Sequence, residues 1–373
     1  MSFPSTRVAR SGRARRLALL VPSARISTRG TKESLYRVLR TVLLAGALAV
    51  VVSTVSHFLA PRYASRAFVA DQQLAILERR PFVEPGGRAG DVPEFRNRIL
   101  VPAALAATVT MTRLRPVIAY FGVRVACAFA MFLLVGWYVS RQMPPAALLP
   151  ALAVLALCLV ISFNHPYEFP SDYLDVLFTA VFVAAARSNG RFLALAAAVV
   201  GATARESAAF SGVIWWFCAV DPPVRRAAYA GLLALVAMGV TIATRMIFRL
   251  PGGSIFNSIA IQGSVGSITR TFVTDPGPRI WIVGLIVMAV VLYYWLETAR
   301  EWTSSDPRTL KAAAVILVLT LVFGVIHELR IYMPVITCVL LAGVSPQRWS
   351  VVIADSASAE STAPATTPRS AWR

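Results

Sequence analysis

The chain has 373 residues, of which 57% are hydrophobic and 15% are charged, and its mean hydropathy is +0.65. Soluble domains usually carry about a quarter charged residues, so this composition excludes an ordinary soluble protein. A net charge of +19 would indicate nucleic-acid binding in a soluble protein. Here residues 1–40 hold ten of the Lys and Arg residues. About half of the excess charge therefore precedes the first long apolar segment, and we expect no nucleic-acid partner.

The two ends of the chain are polar. The basic N-terminal segment favours a cytoplasmic N-terminus by the positive-inside rule, and its length argues against a cleaved signal peptide. We predict a basic cytoplasmic tail over 1–37 that is largely disordered. Residues 345–373 are rich in Ser, Ala, Thr and Pro, which predicts a second disordered tail.

Long apolar segments occupy the region between the tails. The first covers 38–60, which is long enough to cross a hydrocarbon core of about 30 Å as a helix. Nine further segments lie at 116–139, 146–163, 172–187, 191–204, 207–220, 226–249, 279–298, 311–326 and 330–344. We predict an all-α fold, a polytopic transmembrane helical bundle of about 10 membrane helices within a membrane domain over 38–344. A further short helix is predicted near 99–111.

Loop charges predict the orientation of the bundle. If 99–111 does not cross the membrane, the basic loops after 139 fall in the cytoplasm, as the positive-inside rule prefers. If 99–111 crosses, those loops lie outside. Arg113, Arg115 and Arg124 count against the first arrangement. We adopt it, which predicts a multi-pass protein of the cell inner (plasma) membrane with both termini in the cytoplasm and an outer loop over 61–115.

In this arrangement the unusual ionisable residues all fall on the extracytoplasmic side, and none cluster on the cytoplasmic side. The outer set comprises Asp71, Asp91, Glu94, Arg96, Arg98, His165, Glu168, Asp172, Asp175, Arg205, Glu206, His327, Glu328 and Arg330. Each such charge at a helix centre costs about 2.5–3.5 kcal/mol on insertion scales. Their restriction to one side indicates a single site.

Two interpretations of this set remain open, and both can hold at once. The charges can pair with one another, as Arg205 with Glu328 or Glu206 with Arg330, and hold short helices together. They can also line a wet cavity. Asp172 and Asp175 are three residues apart and share a helix face, although Asp172 is also suited to cap the helix N-terminus.

The order of several short motifs resembles a known group of proteins. These are "FRNRILVP" (95–102), "ARES" (204–207) and "HELRIYMP" (327–334), which follow one N-terminal helix and a large first outer loop. In this the chain resembles bacterial polytopic membrane proteins related to the C-type glycosyltransferases, which use polyprenyl-phosphate sugars at the outer face. The resemblance implies a catalytic Asp or Glu in the first outer loop, often in a paired-acid motif. Here Asp71 stands alone, and Asp91 and Glu94 form only a loose pair.

The resemblance also implies roles for the outer set. Asp71 is the expected catalytic base, with Asp91 or Glu94 as substitutes. The candidate phosphate-binding residues are Arg96, Arg98, Arg205 and Arg330, and the candidate substrate-binding residues are His165, Glu168, Asp172, Glu206, His327 and Glu328. The implied partners are the lipid bilayer, a polyprenyl-phosphate sugar and a glycan or protein acceptor.

Other functions stay open at this point. A transporter or lipid flippase would use the same charges to line a path, and a non-catalytic scaffold would use them as structural pairs. The cofactor is unknown. Carboxylates near His165 are compatible with a divalent metal, but no diagnostic ligand spacing occurs in the sequence. Convergence of Asp71, Asp172, Arg205 and Glu328 on one outward cavity would favour the enzyme.

Overall fold

The computed structural model describes residues 28–59, 64–83, 89–90, 98–162, 170–249, 279–303, 305–323 and 329–344. These residues form twelve α-helices: α1 (Thr28–Leu59), α2 (Ala64–Glu78), α3 (Leu100–Thr112), α4 (Pro116–Gln142), α5 (Leu148–Ser162), α6 (Pro170–Arg187), α7 (Arg191–Ala204), α8 (Ser211–Cys218), α9 (Pro223–Phe248), α10 (Arg279–Arg300), α11 (Pro307–Phe323) and α12 (Met333–Ala342). Short 3-10 helices cover Pro145–Ala147, Glu206–Phe210 and Leu329–Tyr332. Strands Phe82–Val83 (β1) and Ala89–Gly90 (β2) pair antiparallel.

The predicted all-α fold is confirmed, with this two-stranded hairpin as the one described addition. Each of the ten predicted apolar segments overlaps a helix, and α3 matches the short helix predicted near 99–111. Within the described ranges, five helical spans are long and apolar enough to cross a membrane: Leu35–Phe58, Pro116–Gln142, Pro145–Ser162, Pro223–Phe248 and Ile282–Arg300. These five indicate a membrane protein. A total of about ten crossings remains a prediction, because several of the other helices are short.

Proline residues set the start of four helices. Pro116, Pro170, Pro223 and Pro307 are the first residues of α4, α6, α9 and α11. Proline fits this position because its backbone has no N–H to leave unpaired and its fixed φ already suits a helix. Proline therefore marks the first residue of each of these four helices.

The core is apolar and crosses the bundle from α1 to α12. Its largest fully buried side chains include Phe132 on α4, Tyr173 on α6 and Trp215 on α8. Helices α8 and α9 approach each other closely at Gly212, where an added Cβ would lie 2.6 Å from the carbonyl oxygen of Ala230. A glycine is required there, and the close approach fixes the start of α8 against α9.

Helix α6 carries a charged residue near each of its ends. Asp172 lies in its first turn and Arg187 in its last. At 1.5 Å per residue, their separation of 15 positions corresponds to about 22 Å. We refer to the end of the bundle near Asp172 as the cluster end, and to the end near Arg187 as the clasp end.

Helix α3 leads away from the cluster end along α4. Val101, near the start of α3, shares a buried apolar cluster with Val123 of α4 and Ala204 of α7. Leu105, one turn later, shares another with Ala119 and Tyr120, which lie closer to the start of α4. The beginning of α3, and with it Arg98, is therefore placed beside the end of α7.

Candidate functional site

The centre of the site is a break between two short helices. Helix α7 ends at Ala204, Arg205 has extended backbone angles (φ −162°, ψ 150°), and a 3-10 helix begins at Glu206. Arg205 and Glu206 are therefore adjacent at a point where the helical backbone is interrupted. Their side chains contact different parts of the bundle.

Arg205 belongs to a buried ionic group on α6. Its guanidinium donates a hydrogen bond to Asp172, whose side chain is fully buried, and its Nε lies 3.5 Å from Oδ2 of Asp175. The hydroxyl of Ser207 donates to Oδ1 of Asp175. Among the described residues, the buried Oδ2 of Asp175 has no hydrogen-bond partner. The arrangement ties the helix break to α6, since a buried charge is tolerated only when it is paired.

Glu206 belongs to a second, more open group. Its Oε2 accepts hydrogen bonds from Nη2 and Nε of Arg98 at 3.1 and 3.3 Å, and its Oε1 accepts one from Nη2 of Arg245 at 3.0 Å. The Glu206 side chain is 31% exposed, whereas the Arg98 and Arg245 side chains are 14% and 17% exposed. One carboxylate therefore bridges two guanidinium groups at the edge of the bundle.

Together the two groups form one centre, which we call the ionic cluster. Its members are Arg98, Asp172, Asp175, Arg205, Glu206 and Arg245. The three acids and three arginines balance in formal charge. The cleft beside Asp175, between α6 and α7, has no room for a water molecule. Glu206 has a more exposed side chain, at 31%, than the other two acids of the cluster, Asp172 at 0% and Asp175 at 4%.

The structure brings together four of the residues predicted for the site: Arg98, Asp172, Arg205 and Glu206. Sequence reasoning did not select Arg245 or Ser207. The signal for Arg245 was available, because it is an arginine inside the otherwise apolar α9, which is the same argument that selected Arg205. Asp175 was noted for its spacing from Asp172 but was assigned no role.

Asp71 occupies a different place. It lies on α2, where Arg80 contacts both of its carboxylate oxygens, at 2.5 Å from Nη2 and 3.3 Å from Nη1. The Asp71 side chain is 47% exposed. Arg79 lies over the ring of Phe248 at 5.8 Å, so the end of α2 adjoins the end of α9, one turn beyond Arg245. The described ion pair of Asp71 is with Arg80 rather than with the ionic cluster. The catalytic role of Asp71 stays a prediction.

The remaining predicted residues cannot be placed. Asp91, Glu94, Arg96, His165, Glu168, His327 and Glu328 lie outside the described residues. Arg330 lies in the 3-10 helix Leu329–Tyr332, but its side chain is outside the described part. The predicted pairs of Arg205 with Glu328 and of Glu206 with Arg330 therefore stay predictions.

A second ionic centre lies at the clasp end, where the sequence had indicated none. Arg187 donates hydrogen bonds to five residues at 2.7–3.2 Å. These residues are Tyr138, Asp306, Thr309, Leu341 and Val344. Thr309 also donates to Asp306 at 2.6 Å. We call this set the clasp. It joins the ends of α4, α6 and α12 to the start of α11, and it corrects the expectation that charges cluster only at the other end.

The acid of the clasp is held in its charged form. Burial raises the pKa of Asp306, but hydrogen bonds from Thr309 and Arg187 and the charge of Arg187 outweigh burial and leave the pKa below its usual value. The clasp is therefore a stable ion pair at neutral pH.

No family model, curated protein or solved structure matches this chain. Among the described residues, no group of three or more His, Cys, Asp or Glu side chains is placed to hold a metal ion.

Proposed function

We propose that the chain is a membrane glycosyltransferase that uses a polyprenyl-phosphate sugar donor at the extracytoplasmic face. The observation that carries the proposal is the convergence of Arg98, Arg205 and Arg245 with three acids at one end of an apolar helical bundle. Ionisable residues inside membrane proteins are expensive and are usually retained for function. Arginines gathered beside the partly exposed Glu206 suit an anionic headgroup.

The arginines of the ionic cluster have different proposed roles. Arg98 and Arg245 flank the open side of the cluster, and a guanidinium offers a planar fork of donors that matches phosphate oxygens. Arg205 was predicted to bind phosphate as well. Its contacts with Asp172 and Asp175 support a positioning role instead, in which it fixes the helix break that carries Glu206.

Asp71 is the proposed general base for the acceptor hydroxyl. General bases act within hydrogen-bond reach of the proton they remove. The position of α2 beside the end of α9 supports this role, because it places Asp71 on the same side of the bundle as Arg245. Base catalysis requires that Arg80 release one carboxylate oxygen, which the half-exposed setting of this pair allows.

The orientation belongs to the same proposal. The cluster end faces the extracytoplasmic side of the inner membrane, the clasp end faces the cytoplasm, and both termini are cytoplasmic. Single cysteines introduced into a Cys-free background test this in intact cells. An impermeant thiol reagent should label Asn164→Cys and leave Asn189→Cys unmodified, and the opposite pattern would reverse the orientation.

A transporter or flippase is a second candidate, and the clasp favours it by placing charge at both ends of the bundle. The saturation of Arg187 by five acceptors argues that this end is closed. A non-catalytic scaffold is favoured by the buried pairing of Arg205. A scaffold role does not explain why the Glu206 bridge is partly exposed.

The test is sugar transfer by the purified full chain in liposomes, offered a panel of polyprenyl-phosphate hexoses. We expect Asp71→Asn to lower the transfer rate at least a hundredfold while donor binding persists, since general bases contribute about 10²–10⁴-fold. Arg245→Gln should weaken donor binding. Glu297→Gln, which alters an exposed pair on α10, serves as the control. Transfer by Asp71→Asn at the wild-type rate would contradict its role, and an inactive wild-type chain with every donor would contradict the function.

A further inference from the structure

The bridge from Arg98 through Glu206 to Arg245 resembles an occupied anion site. We propose that Glu206 is an internal occupant of a phosphate site formed by Arg98 and Arg245, and that the phosphate group of a ligand displaces it. The nature of the ligand rests on the proposed function, whereas the site itself rests on the geometry.

The contacts have the form expected for bound phosphate. Each Glu206 oxygen is bound by a different arginine, at 3.0 Å from Arg245 and 3.1 Å from Arg98. Charge-assisted hydrogen bonds of this kind are equally available to phosphate oxygens. A phosphate group carries at least the charge of the carboxylate and presents two oxygens at a similar spacing, so it can satisfy both guanidinium groups at once.

Exposure distinguishes the occupant from the site. The two arginine side chains are mostly buried, whereas nearly a third of the Glu206 side chain is exposed. The acids bound to Arg205 are in contrast almost fully enclosed, at 0% for Asp172 and 4% for Asp175. Glu206 is therefore the acid of the cluster that can swing out toward the opening while the arginines stay in place.

The neighbouring residue makes this exchange local. Arg205 holds the helix break to α6 through Asp172, so the backbone at Glu206 is fixed. Displacement then requires a rotation of the Glu206 side chain, and the charge-assisted hydrogen bonds that Glu206 gives up are replaced by those of the phosphate. Because Arg98 and Arg245 come from separate elements, an incoming phosphate would keep them linked.

The test measures binding of phosphate probes to the full chain in uncharged detergent by thermal shift. Inorganic phosphate and farnesyl phosphate are the probes, and farnesol is the uncharged control. We expect Glu206→Gln to unfold at a lower temperature than wild type without probe, to be restored by phosphate, and to bind both phosphate probes at least tenfold more tightly. Glu297→Gln removes the same charge from the exposed end of α10 and should leave the probe affinity unchanged.

Unchanged or weaker phosphate binding by Glu206→Gln would overturn the proposal and make the bridge structural. If that variant does not fold, Glu206→Asp keeps the charge but is too short to hold both arginines well. It should still bind phosphate more tightly than wild type, and no gain would overturn the proposal. Tighter binding of farnesyl phosphate than of inorganic phosphate assigns the site to a lipid headgroup, and equal binding assigns it to free phosphate.

The outcomes separate this inference from the proposed function. Tighter phosphate binding by Glu206→Gln without sugar transfer from any donor would support the internal occupant and contradict the glycosyltransferase. Sugar transfer by the wild type without any gain in phosphate binding by Glu206→Gln or Glu206→Asp would support the enzyme and overturn the internal occupant.

Discussion

The ionic cluster and the clasp lie at opposite ends of α6 and stabilise buried charge in different ways. In the clasp, Arg187 donates to Asp306 and to four neutral acceptors, which are two hydroxyls and two backbone carbonyls. In the ionic cluster, charges are balanced mainly against other charges, and Oδ2 of Asp175 has no hydrogen-bond partner among the described residues. The clasp is a closed structural unit, whereas the cluster keeps groups that a ligand can engage.

This difference shows why the presence of buried charge does not by itself identify a functional site. Arg187 and Arg205 are both mostly buried arginines in ion pairs. Their surroundings differ in the exposure of the neighbouring acid. The Glu206 side chain beside Arg205 is partly exposed, and the clasp has no equally exposed acid among its described members. The comparison can be tested by variants at both ends.

The largest effect is expected at the clasp. Arg187→Gln leaves Asp306 mostly buried without its cation, and breaking such a pair costs about 3–5 kcal/mol. Arg187→Lys should recover little, because an ammonium group cannot reproduce the planar fork. The measurement is thermal unfolding and folded yield in detergent. Wild-type stability for Arg187→Gln would mean that the clasp is not a structural unit.

A smaller loss is expected in the cluster. Asp172→Asn should destabilise the chain by about 3 kcal/mol, the low end of the range for a broken buried pair, because Asp175 remains near Arg205. Adding Arg205→Gln should restore part of the loss by removing the stranded charge. If the double variant is less stable than Asp172→Asn alone, Arg205 is held by contacts other than this pair.

A packing change between α8 and α9 should destabilise the chain by about 1–3 kcal/mol. In Gly212→Ala the new Cβ would lie 2.6 Å from the carbonyl of Ala230, so α8 has to move away from α9. Gly231→Ala is the matched control, since an added Cβ there meets nothing within 4 Å. Unfolding temperature compares the two, and equal stability would show that the close approach is not required.

The smallest effect concerns acid stability at the clasp. The folded-state pKa of Asp306 lies below its usual value of about 3.9. Its stabilising contribution is therefore complete above pH 4 and is lost as pH falls through the folded-state pKa. Asp306→Asn should flatten the decline of stability below pH 4. An unchanged acid profile in that variant would show that other carboxylates control it.

The lengths of the apolar segments predicted most of the fold, since each of the ten segments overlaps a helix, although the helices that begin at Pro170, Pro223 and Pro307 start two to four residues before the predicted segments. The cost of charge in apolar segments selected Arg205 and Glu206, and the structure brings both into the ionic cluster. Partners were harder to predict, because pairing depends on which helix ends meet. Arg98 and Glu206 are 108 residues apart, and nothing local links them. Arg187 looked like an ordinary residue of a basic loop until its five acceptors were brought together by the fold.

The shortness of α7 has a consequence for the surrounding lipid. This helix has 14 residues and rises about 21 Å, and its exposed Phe192, Leu193, Val199 and Val200 form an apolar wall. In the predicted arrangement of about ten crossings, α7 crosses a hydrocarbon layer about 30 Å thick, so the bilayer would thin beside this wall by several ångströms, at a modest cost per ångström. The wall ends at Arg205 and Glu206. Under the proposed function, thinning on this side would lower the phosphate layer of the adjacent leaflet toward the ionic cluster and bring a lipid headgroup near its depth.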